Sequence, residues 1–315
     1  MKLSVVIVTH NSGSVLSECL EALRRDTSIP FEIIVVDNSS SDETMSILAR
    51  DSSLRFRQNS ANVGFAAGCN QGLALATGEY FVLLNPDVIV HHHSLDRLAS
   101  WLDANPAVGI VGPQSTDANG AVQRYQTARP GILSYITRIL GYDTITLSAV
   151  HDRRPVETDW VSGLCLMARR RMLKDIGGFD DGFFMYSEDV DWCLLARSAG
   201  WKVALLRNVE VIHLNDGGHS ARSDYMARIF NVKQGQLRLF ARHYGYSTYL
   251  AMKGIVAVEC AIKLCWDLAT WPLVSSPRRT TKAARIRGYW TLVRSLGGPP
   301  RFMAPGTGGS LLAVK

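Results

Sequence analysis

The sequence predicts an α/β fold in which a mostly parallel sheet is flanked by helices. Three short runs rich in β-branched and aromatic residues, LSVVIV (3–8), FEIIVV (31–36) and YFVLL (80–84), alternate with segments of helical periodicity. Strands separated by helices form βαβ units, and strands covered on both faces are apolar along their whole length. The pattern from about residue 225 onward is helical, which predicts a helical extension.

The segments between these strands carry helical signals. Residues 15–25 have apolar positions at helical spacing, and residues 43–50 do so directly after a Ser/Asp cluster suited to capping. Ser94 is expected to cap a helix through Ala104, which an Asn-Pro pair ends. The run VGIVG (108–112) then predicts another strand.

Regularity is lost and then returns in the second hundred residues. Residues 115–158 have no clear period, and we expect loops and short elements around a site there. After the run DWVSGLCLMARR (159–170), a helix is predicted from Glu188 to Ala199, capped by Ser187. Gly200 ends this helix ahead of the strand WKVALL.

The composition excludes several classes of protein. Of 315 residues, 47% are hydrophobic and 20% are charged, which is typical of a globular chain large enough to bury a sizeable core. The six cysteines include no C-x-x-C pair and no regular spacing, so a disulfide framework and a thiolate zinc site are both disfavoured. Reduced, structural thiols in a cytosolic setting are expected.

Neither a signal peptide nor a spanning helix is predicted. The N-terminal run MKLSVVIVTHN has one lysine and an apolar stretch too short for a signal peptide, so we do not expect export. A spanning helix needs roughly 18 or more apolar residues. The best candidate, residues 249–274, is interrupted by four charged side chains: Lys253, Glu259, Lys263 and Asp267.

Positive charge is concentrated at the C-terminal end. The net charge is +6, yet the residues after Asp267 include eight basic side chains and no acidic one. Residues 249–274 and 278–294 are predicted to form amphipathic helices that contain tryptophan, the pattern of an interfacial membrane anchor. Nucleic-acid binding is disfavoured because no recognition motif accompanies the charge. The alternative is an ordinary solvated basic helix packed on the domain.

Polar side chains follow three of the predicted strands where each strand ends. They are Thr9-His10-Asn11, the run from Asp37 to Asp42, and Asn85-Pro86-Asp87. In an open parallel sheet, ligands bind outside the carboxyl ends of the strands. Turns and caps use the same residue types, so a purely structural role is the alternative for each alone. Three such ends together favour a binding site.

The stretch NVGFAAGCNQG, residues 62–72, repeats glycine every four residues, at Gly64, Gly68 and Gly72. On a helix these glycines share one face and allow close approach to a strand or a ligand. The spacing fits neither a dinucleotide fingerprint nor a P-loop. Close packing without any ligand contact is the alternative.

An acidic cluster lies in GGFDDGFFMYSEDVDW, residues 177–192. Glu188 and Asp189 fall in the first turn of the predicted helix, where negative charge complements the helix dipole and a structural role suffices. Their aromatic surroundings favour a second interpretation, since burial raises a carboxyl pKa and suits a general base. His213 ends another apolar run and is either structural or a metal ligand. The triple His91-His92-His93 is set aside because adjacent side chains point in different directions.

In chain order, these motifs resemble family 2 glycosyltransferases of the GT-A fold, and within them the bacterial rhamnosyltransferase-like branch. The resemblance covers about residues 1–220 and rests on VVIVTHN, IIVVDNSSSD, NVGFAAGCN, LLNPDV, WVSGLCLMARR, GGFDDGFFMYSEDVDWCLLARSAGW and VIHL. It implies a Rossmann-like sheet with a nucleotide-binding half (about 1–113) and an acceptor half (about 114–220). Amphipathic basic helices (221–300) and a disordered tail (301–315) would follow.

The resemblance also implies how a nucleotide-diphosphate sugar is held. Thr9, Asn11 and Asp37 would contact the nucleoside. The loop and helix containing Asn62, Gly64, Phe65, Gly68 and Asn70 would close over the nucleotide and the sugar.

The metal motif departs from the family pattern at one position. The family has Asp-x-Asp where this chain has Asn85-Pro86-Asp87, so Asn85 supplies a neutral oxygen. Asp87 would bind Mg²⁺ or Mn²⁺ together with the diphosphate oxygens, and His213 would complete the coordination shell.

By the same resemblance Asp189 would be the catalytic base and Glu188 would hold the acceptor. Trp160, Ser162 and Gly163, with the aromatic run at 183–186, would shape the acceptor and donor pockets. The implied reaction is inverting transfer, with L-rhamnose from dTDP-rhamnose as the expected donor sugar. The expected acceptor is a lipid-linked (polyprenyl diphosphate) glycan of bacterial cell-envelope polysaccharide synthesis.

The expected location is peripheral, on the cytoplasmic face of the inner membrane. Three alternatives stay open: transfer of galactofuranose or a hexose from a UDP donor, a sugar-nucleotide pyrophosphorylase, and a catalytically silent glycan-binding scaffold. A pyrophosphorylase would begin with a glycine-rich loop followed by basic residues, which VTHNSGSV is not.

Overall fold

The computed structural model describes residues 1–123, 128–139, 153–214, 225–273 and 276–298, together with 302–303 and 311–312. The chain forms two compact units. The first comprises Met1–Asp181 and Glu188–His219, and the second comprises Gly182–Ser187 and Ser220–Lys315.

The strands of the described residues were predicted in part. They are β1 (Leu3–Thr9), β2 (Phe31–Asp37), β3 (Arg55–Gln58), β4 (Tyr80–Leu84), β5 (Val88–Val90), β6 (Val108–Thr116), β7 (Val156–Thr158), β8 (Cys165–Arg169), β9 (Lys202–His213), β10 (Phe302–Met303) and β11 (Leu311–Leu312). The five strands predicted from the sequence are all present, and β6 and β9 extend several residues further than predicted.

The helices predicted at 15–25, 43–50, 94–104 and 188–199 are present within a few residues at each end, whereas two short helices, at 132–139 and 173–176, were not predicted. The helices of the described residues are α1 (Gly13–Asp26), α2 (Thr44–Ala49), α3 (Phe65–Leu75), α4 (Ser94–Ala104), α5 (Ile132–Ile139), α6 (Leu173–Ile176), α7 (Glu188–Ser198), α8 (Tyr225–His243), α9 (Gly245–Ala269) and α10 (Ser276–Ser295). Short 3₁₀ turns occur at Arg170–Met172 and Trp271–Leu273.

A nine-stranded sheet forms the centre of the first unit, in the order β3-β2-β1-β4-β8-β6-β9-β5, with β7 also paired to β9. The strands β3, β2, β1 and β4 are parallel, as predicted. Strand β8 then inserts antiparallel to both β4 and β6. The α/β fold is therefore confirmed, with its parallel pairing concentrated at the N-terminal side and mixed pairing beyond β4.

Strands β1 and β4 are buried along their entire length, which explains why they read as continuous apolar runs. The buried face of α1, including Leu16, Leu20 and Leu23, packs into the same core as Val5 and Ile7 of β1. Because the strands run in parallel, the polar residues that follow β1, β2 and β4 emerge at one edge of the sheet.

In the second unit, the two helices predicted at 249–274 and 278–294 are present as α9 and α10, and one further helix, α8, precedes them. Ion pairs connect these helices: Lys233 Nζ lies 2.6 Å from Glu259 Oε2, and Arg285 Nε lies 3.0 Å from Asp267 Oδ2.

Among the described residues no helix is long and apolar enough to cross a bilayer. The tail predicted to be disordered, residues 301–315, lies outside the described residues except for the antiparallel pair β10 and β11.

Candidate active site

The ends of β1 and β2 bring Thr9 and Asp37 side by side in the strand register. Both side chains are buried, and Thr9 Oγ1 donates a hydrogen bond to Asp37 Oδ1 over 2.9 Å. The backbone N–H of Ser40 donates to Asp37 Oδ2 over 3.0 Å, and the Ser40 hydroxyl donates to Oδ1. The Asp37 carboxylate thus fixes the loop after β2, and its predicted contact with a nucleoside stays a prediction.

Asn11 belongs to the same network of loops. Its Oδ1 accepts from Ser41 N over 2.8 Å, while Asn11 N donates to Ser40 Oγ over 2.8 Å. Asn11 has φ 53°, a left-handed conformation that asparagine tolerates better than most residues. The structure therefore brings Thr9, Asn11 and Asp37 together at the sheet edge, as the sequence predicts.

The glycine repeat of α3 serves close packing against β1. A Cβ added at Gly68 would lie 2.8 Å from Val8 Cγ1, and one added at Gly72 would collide with Val6. Gly64 precedes α3 with φ 90°, and its N–H donates to Asn62 Oδ1 over 3.0 Å. Gly68 and Gly72 thus pack closely against β1, while donor contacts from Gly64, Gly68 and the half-buried Phe65 stay predictions.

Asn70 clamps the backbone of a distant loop. Its Nδ2 donates to Phe179 O over 2.8 Å, and its Oδ1 accepts from Phe179 N over 2.8 Å. A Cβ added at Gly178 would strike Asn70 Oδ1, so that glycine is needed for the approach. These two hydrogen bonds hold the loop at 178–179 against α3, a role that the sequence did not predict.

The candidate metal pair lies across the β5–β9 ladder. Asp87 directly precedes β5, and Val88 is the register partner of His213 at the end of β9. His213 Nε2 lies 3.2 Å from Asp87 Oδ2, and the two side chains are 14% and 8% exposed. Residues more than 120 positions apart thus meet, as the resemblance implies.

Gln123 orients the histidine of this pair and was missed by sequence reasoning. Its Oε1 lies 2.9 Å from His213 Nδ1, and its Nε2 donates to His213 O over 3.2 Å. Because an amide oxygen only accepts, Nδ1 carries the hydrogen in this contact, and Nε2 is the ring nitrogen that faces Asp87. Gln123 lies in the stretch without periodicity, where no sequence signal marks it.

The residues present fit a divalent cation that is completed by a ligand. Asn85 Oδ1 is a buried oxygen with no hydrogen-bond partner among the described residues, two positions from Asp87. Within the same described ranges, no group of three or more His, Cys, Asp or Glu side chains could hold a metal alone. A hard cation bound by Asp87 and His213 therefore needs further oxygens, such as those of a diphosphate.

Asp189 is held by backbone N–H groups at the start of α7. Gly163 N donates to Asp189 Oδ2 over 2.8 Å, and Val190 N donates to Oδ1 over 2.8 Å. Burial raises the pKa of the Asp189 carboxyl, while these N–H donors oppose the rise. The group combines a fixed orientation with a raised pKa, as a general base requires.

Glu188 is buried more deeply than Asp189. It is 5% exposed, and its Oε2 has no hydrogen-bond partner in the described part of the chain. Burial, and then the charge of the neighbouring Asp189, hold the pKa of Glu188 well above its ordinary value. After burial, the Glu188 charge is also the largest cause that raises the pKa of the Cys69 thiol, which places the carboxylate near α3.

Two consecutive residues connect the base to the metal motif. Gly163 bonds Asp189, and the next residue, Leu164, accepts a hydrogen bond at its carbonyl oxygen from Asn85 N over 2.8 Å. The strand ladder continues this contact, since Leu84 pairs with Cys165. The candidate base and the candidate metal ligands therefore lie at the same edge of the sheet.

The other predicted acceptor residues flank this connection. Trp160 Nε1 donates to Ala128 O over 3.1 Å, and Ser162 Oγ accepts from Leu164 N over 3.4 Å. Trp160 and Ser162 are half-buried, so part of each side chain faces solvent near Gly163. Their predicted contacts with an acceptor stay predictions.

The sequence matches the family model described as "Glycosyl transferase family 2" over residues 4–195. An N-acetylglucosaminyl-diphospho-decaprenol L-rhamnosyltransferase of Mycobacterium tuberculosis (strain ATCC 25618 / H37Rv) is 29% identical over 267 residues, 78% of this chain and 86% of that protein. Rhamnosyltransferase WbbL of Escherichia coli (strain K12) is 24% identical over 220 residues, 66% of this chain and 82% of that protein.

A solved structure with the same fold is the mannosyltransferase PcManGT from Pyrobaculum calidifontis in complex with GDP-Man and Mn²⁺. It superposes with a TM-score of 0.56 at 17% identity, covering 93% of this chain and 87% of that chain. At this identity the likeness extends to the fold.

Proposed function

This chain belongs to glycosyl transferase family 2, and we propose that it is a metal-dependent inverting glycosyltransferase that moves L-rhamnose from dTDP-rhamnose onto a lipid-linked glycan. The observation that carries the proposal is the chain of contacts from Asp189 through Gly163 and Leu164 to the Asn85–Asp87 motif. These contacts bring the candidate base and the candidate metal ligands to one edge of the sheet, which supports the proposal because this chemistry needs both groups near the transferred sugar.

In the proposed reaction, Asp189 accepts the proton of an acceptor hydroxyl while the hydroxyl oxygen attacks the anomeric carbon of the sugar. The bond from that carbon to the nucleoside diphosphate breaks on the opposite face, which inverts the configuration. A sugar hydroxyl is a poor nucleophile, so a positioned base contributes about 10²- to 10⁴-fold to such a step. Glu188, at the adjacent position, would hold the acceptor.

The leaving diphosphate gains negative charge as the bond breaks. Asp87 and His213 would hold Mg²⁺ or Mn²⁺ there, and Asn85 would add a neutral oxygen near the same position. When bound, such a cation stabilises the departing diphosphate without requiring a proton. Gln123, whose Oε1 lies 2.9 Å from Nδ1 of His213, would orient the ring so that Nε2 faces the cation.

The donor and the acceptor are inferred from relatives. The two curated rhamnosyltransferases support rhamnose, and the name of the mycobacterial protein supports a polyprenyl-diphosphate acceptor. A lipid-linked acceptor implies a peripheral location on the cytoplasmic face of the inner membrane in bacterial cell-envelope polysaccharide synthesis. The Mn²⁺ in the mannosyltransferase complex supports a divalent cofactor.

The test is nucleotide release from dTDP-rhamnose, UDP-galactofuranose and UDP-glucose, with a membrane lipid extract as the acceptor source and with or without Mg²⁺ or Mn²⁺. We expect metal-dependent release from dTDP-rhamnose that requires the extract and is lost in Asp87→Asn. The exposed Glu21→Gln variant serves as the matched control. Release from a UDP donor would show that the transferred sugar is not rhamnose. No release from any donor would contradict the proposed transferase activity.

A further inference from the structure

Most of the solvent-facing surface of α9 is uncharged. Every exposed position of this 25-residue helix is uncharged. The large side chains among the exposed positions are all apolar or aromatic: Tyr246 is 73% exposed, Leu250 46%, Val258 59%, Ile262 65%, Trp266 67% and Leu268 53%. At 3.6 residues per turn they spread over about half of the helix circumference. We name this side the outer face of α9.

The two carboxylates of α9 turn toward the neighbouring helices, whereas its two lysines, Lys253 and Lys263, are half-buried. Glu259 is 6% exposed and lies between Lys233 of α8 and Lys263, with its Oε2 2.6 Å from Lys233 Nζ. Asp267 is 2% exposed and pairs with Arg285 of α10. The two carboxylates that seemed to interrupt the apolar run are therefore buried and do not interrupt the outer face of α9.

This helix departs from the usual order for a helix in water, because it buries both of its carboxylates beside Met252, Val256 and Cys260 and exposes large apolar side chains. A surface helix normally turns its apolar stripe to the core and its charges to solvent. Here the helix buries its carboxylates, which is costly unless they are paired, and exposes isoleucine, valine and tryptophan. Contiguous exposed apolar surface of this kind marks a binding surface.

The adjacent helix indicates what covers the outer face. Arg287, Trp290 and Arg294 are exposed on α10, and the Arg294 guanidinium lies 5.2 Å from the centre of the Trp290 ring. The contacts Asp267–Arg285 and Lys263–Tyr289 show that α9 and α10 run antiparallel, so Trp290 lies at the level of Ile262 along the pair. Apolar, aromatic and cationic side chains thus share one stretch of the helix pair.

The charge of this part of the chain is one-sided. Residues 220–315 include 15 Lys and Arg side chains and three Asp and Glu side chains. Two of the three, Glu259 and Asp267, are the buried and paired carboxylates of α9. A second copy of this basic surface would repel the first, whereas anionic phosphates would attract it.

We propose that the outer face of α9 docks in the plane of an anionic bilayer, with its apolar side chains at the acyl boundary and Arg287 and Arg294 at the lipid phosphates. Tryptophan and tyrosine favour this boundary, and arginine near an anionic surface adds attraction. The helix lies along the membrane because paired charges occupy its opposite side. The inference rests on the membrane location in the proposed function and names the surface that provides it.

The experiment is co-sedimentation of the full chain with vesicles of phosphatidylcholine alone or mixed with phosphatidylglycerol, without sugar nucleotide or acceptor. We expect binding to the mixed vesicles, weakened at least about tenfold in the double variant Ile262→Ser/Trp266→Ser, since each side chain loses the gain of apolar burial. Arg287→Gln/Arg294→Gln should weaken binding to mixed vesicles by a similar factor and leave binding to phosphatidylcholine unchanged.

The control is Phe56→Ser, which removes an exposed aromatic side chain from β3 in the first unit and should leave vesicle binding unchanged. Thermal unfolding of each variant checks that it folds. No binding of the wild type, or equal binding of Ile262→Ser/Trp266→Ser, would overturn the proposal. A lipid-independent dimer abolished by that variant would assign the outer face to a second copy instead. Because donor and acceptor are absent, failure here is distinguishable from failure of the transferase.

Discussion

The backbone N–H of Gly163 donates to Asp189 Oδ2 over 2.8 Å, and the two residues are so close that a Cβ on Gly163 would lie 3.2 Å from Asp189 Cβ. Gly163 thus orients the candidate base and leaves no room for a side chain of its own. The carbonyl oxygen of the next residue, Leu164, accepts a hydrogen bond from Asn85 N. The position of the candidate base is therefore connected to the metal motif through two adjacent residues.

The variant Gly163→Ala tests this orientation. The added methyl group must displace the Asp189 carboxylate by a few tenths of an ångström, and such misplacement lowers the rate of the chemical step. We expect kcat to fall by roughly tenfold or more, with the KM for the donor little changed. Gly254→Ala is the matched control, since a Cβ at Gly254 meets nothing within 4 Å. An unchanged kcat for Gly163→Ala would contradict the positioning role.

The pH dependence of turnover follows from the raised pKa of Asp189. The base works only when deprotonated, so activity is lost as the pH falls through this pKa. Because burial raises the Asp189 pKa, the acid limb of the kcat profile should have its midpoint above the ordinary aspartate value of about 3.9. A midpoint at or below the ordinary value would contradict the account. The profile is measured at saturating donor to separate it from binding.

Stability should depend on pH through Glu188. Burial raises its folded-state pKa well above the unfolded value, so the folded protein holds the proton more tightly and loses stability as the pH rises above the unfolded pKa. Glu188→Gln removes this loss, and each unit of the shift corresponds to about 1.4 kcal/mol.

Denaturant unfolding from pH 4 to pH 8 measures the effect. The stability of Glu188→Gln relative to wild type should increase over this range, whereas that of the exposed Glu21→Gln should stay constant. A difference for Glu188→Gln that does not change with pH would show that the buried carboxylate carries no such penalty.

Gln123 gives a prediction about metal affinity. Gln123→Leu removes the acceptor at His213 Nδ1, so the ring loses its fixed orientation. Loss of such an orienting partner typically weakens metal binding about 10- to 100-fold. Titration of Mn²⁺ in the presence of nucleoside diphosphate, followed by electron paramagnetic resonance, measures the affinity. Gln58→Leu, on the exposed strand β3, should bind Mn²⁺ like wild type, and equal affinity in Gln123→Leu would contradict the role.

The parallel core of the fold could be predicted because its signals are local. Residues 3–9 and 80–84 form strands from continuous apolar runs, and Ser94–Ala104 forms a helix between clear start and stop signals. The antiparallel insertion of β8 between β4 and β6 could not be predicted, since periodicity identifies a strand and not its neighbours. The short strands β5 and β7 were not predicted, because three residues are too few to show the alternating pattern of a strand.

The candidate site was predicted through the resemblance of its motifs. The resemblance assigns Asp87 and His213 as metal ligands and Asp189 as the base; the structure brings Asp87 to His213, and the three roles stay predictions. Gln123 could not be identified, because its role depends on a contact with a residue 90 positions away.

The role of a residue within the fold was equally hidden. Asn70 was expected at the donor, yet its amide is engaged by the backbone of Phe179, a contact that no sequence spacing reveals. The direction in which the α9 charges point is hidden for the same reason: which side of a helix is buried depends on the helices packed against it.

The most direct test of the central claim separates binding from chemistry in Asp189→Asn. Calorimetric titration with the nucleoside diphosphate and Mn²⁺ measures binding, and nucleotide release with donor and acceptor measures turnover. The account predicts wild-type affinity with turnover reduced at least about 100-fold, since asparagine keeps the shape of the carboxylate and cannot accept the proton. Turnover equal to wild type would contradict the assignment of Asp189 as the base, and loss of nucleotide binding would show that it acts on the donor instead.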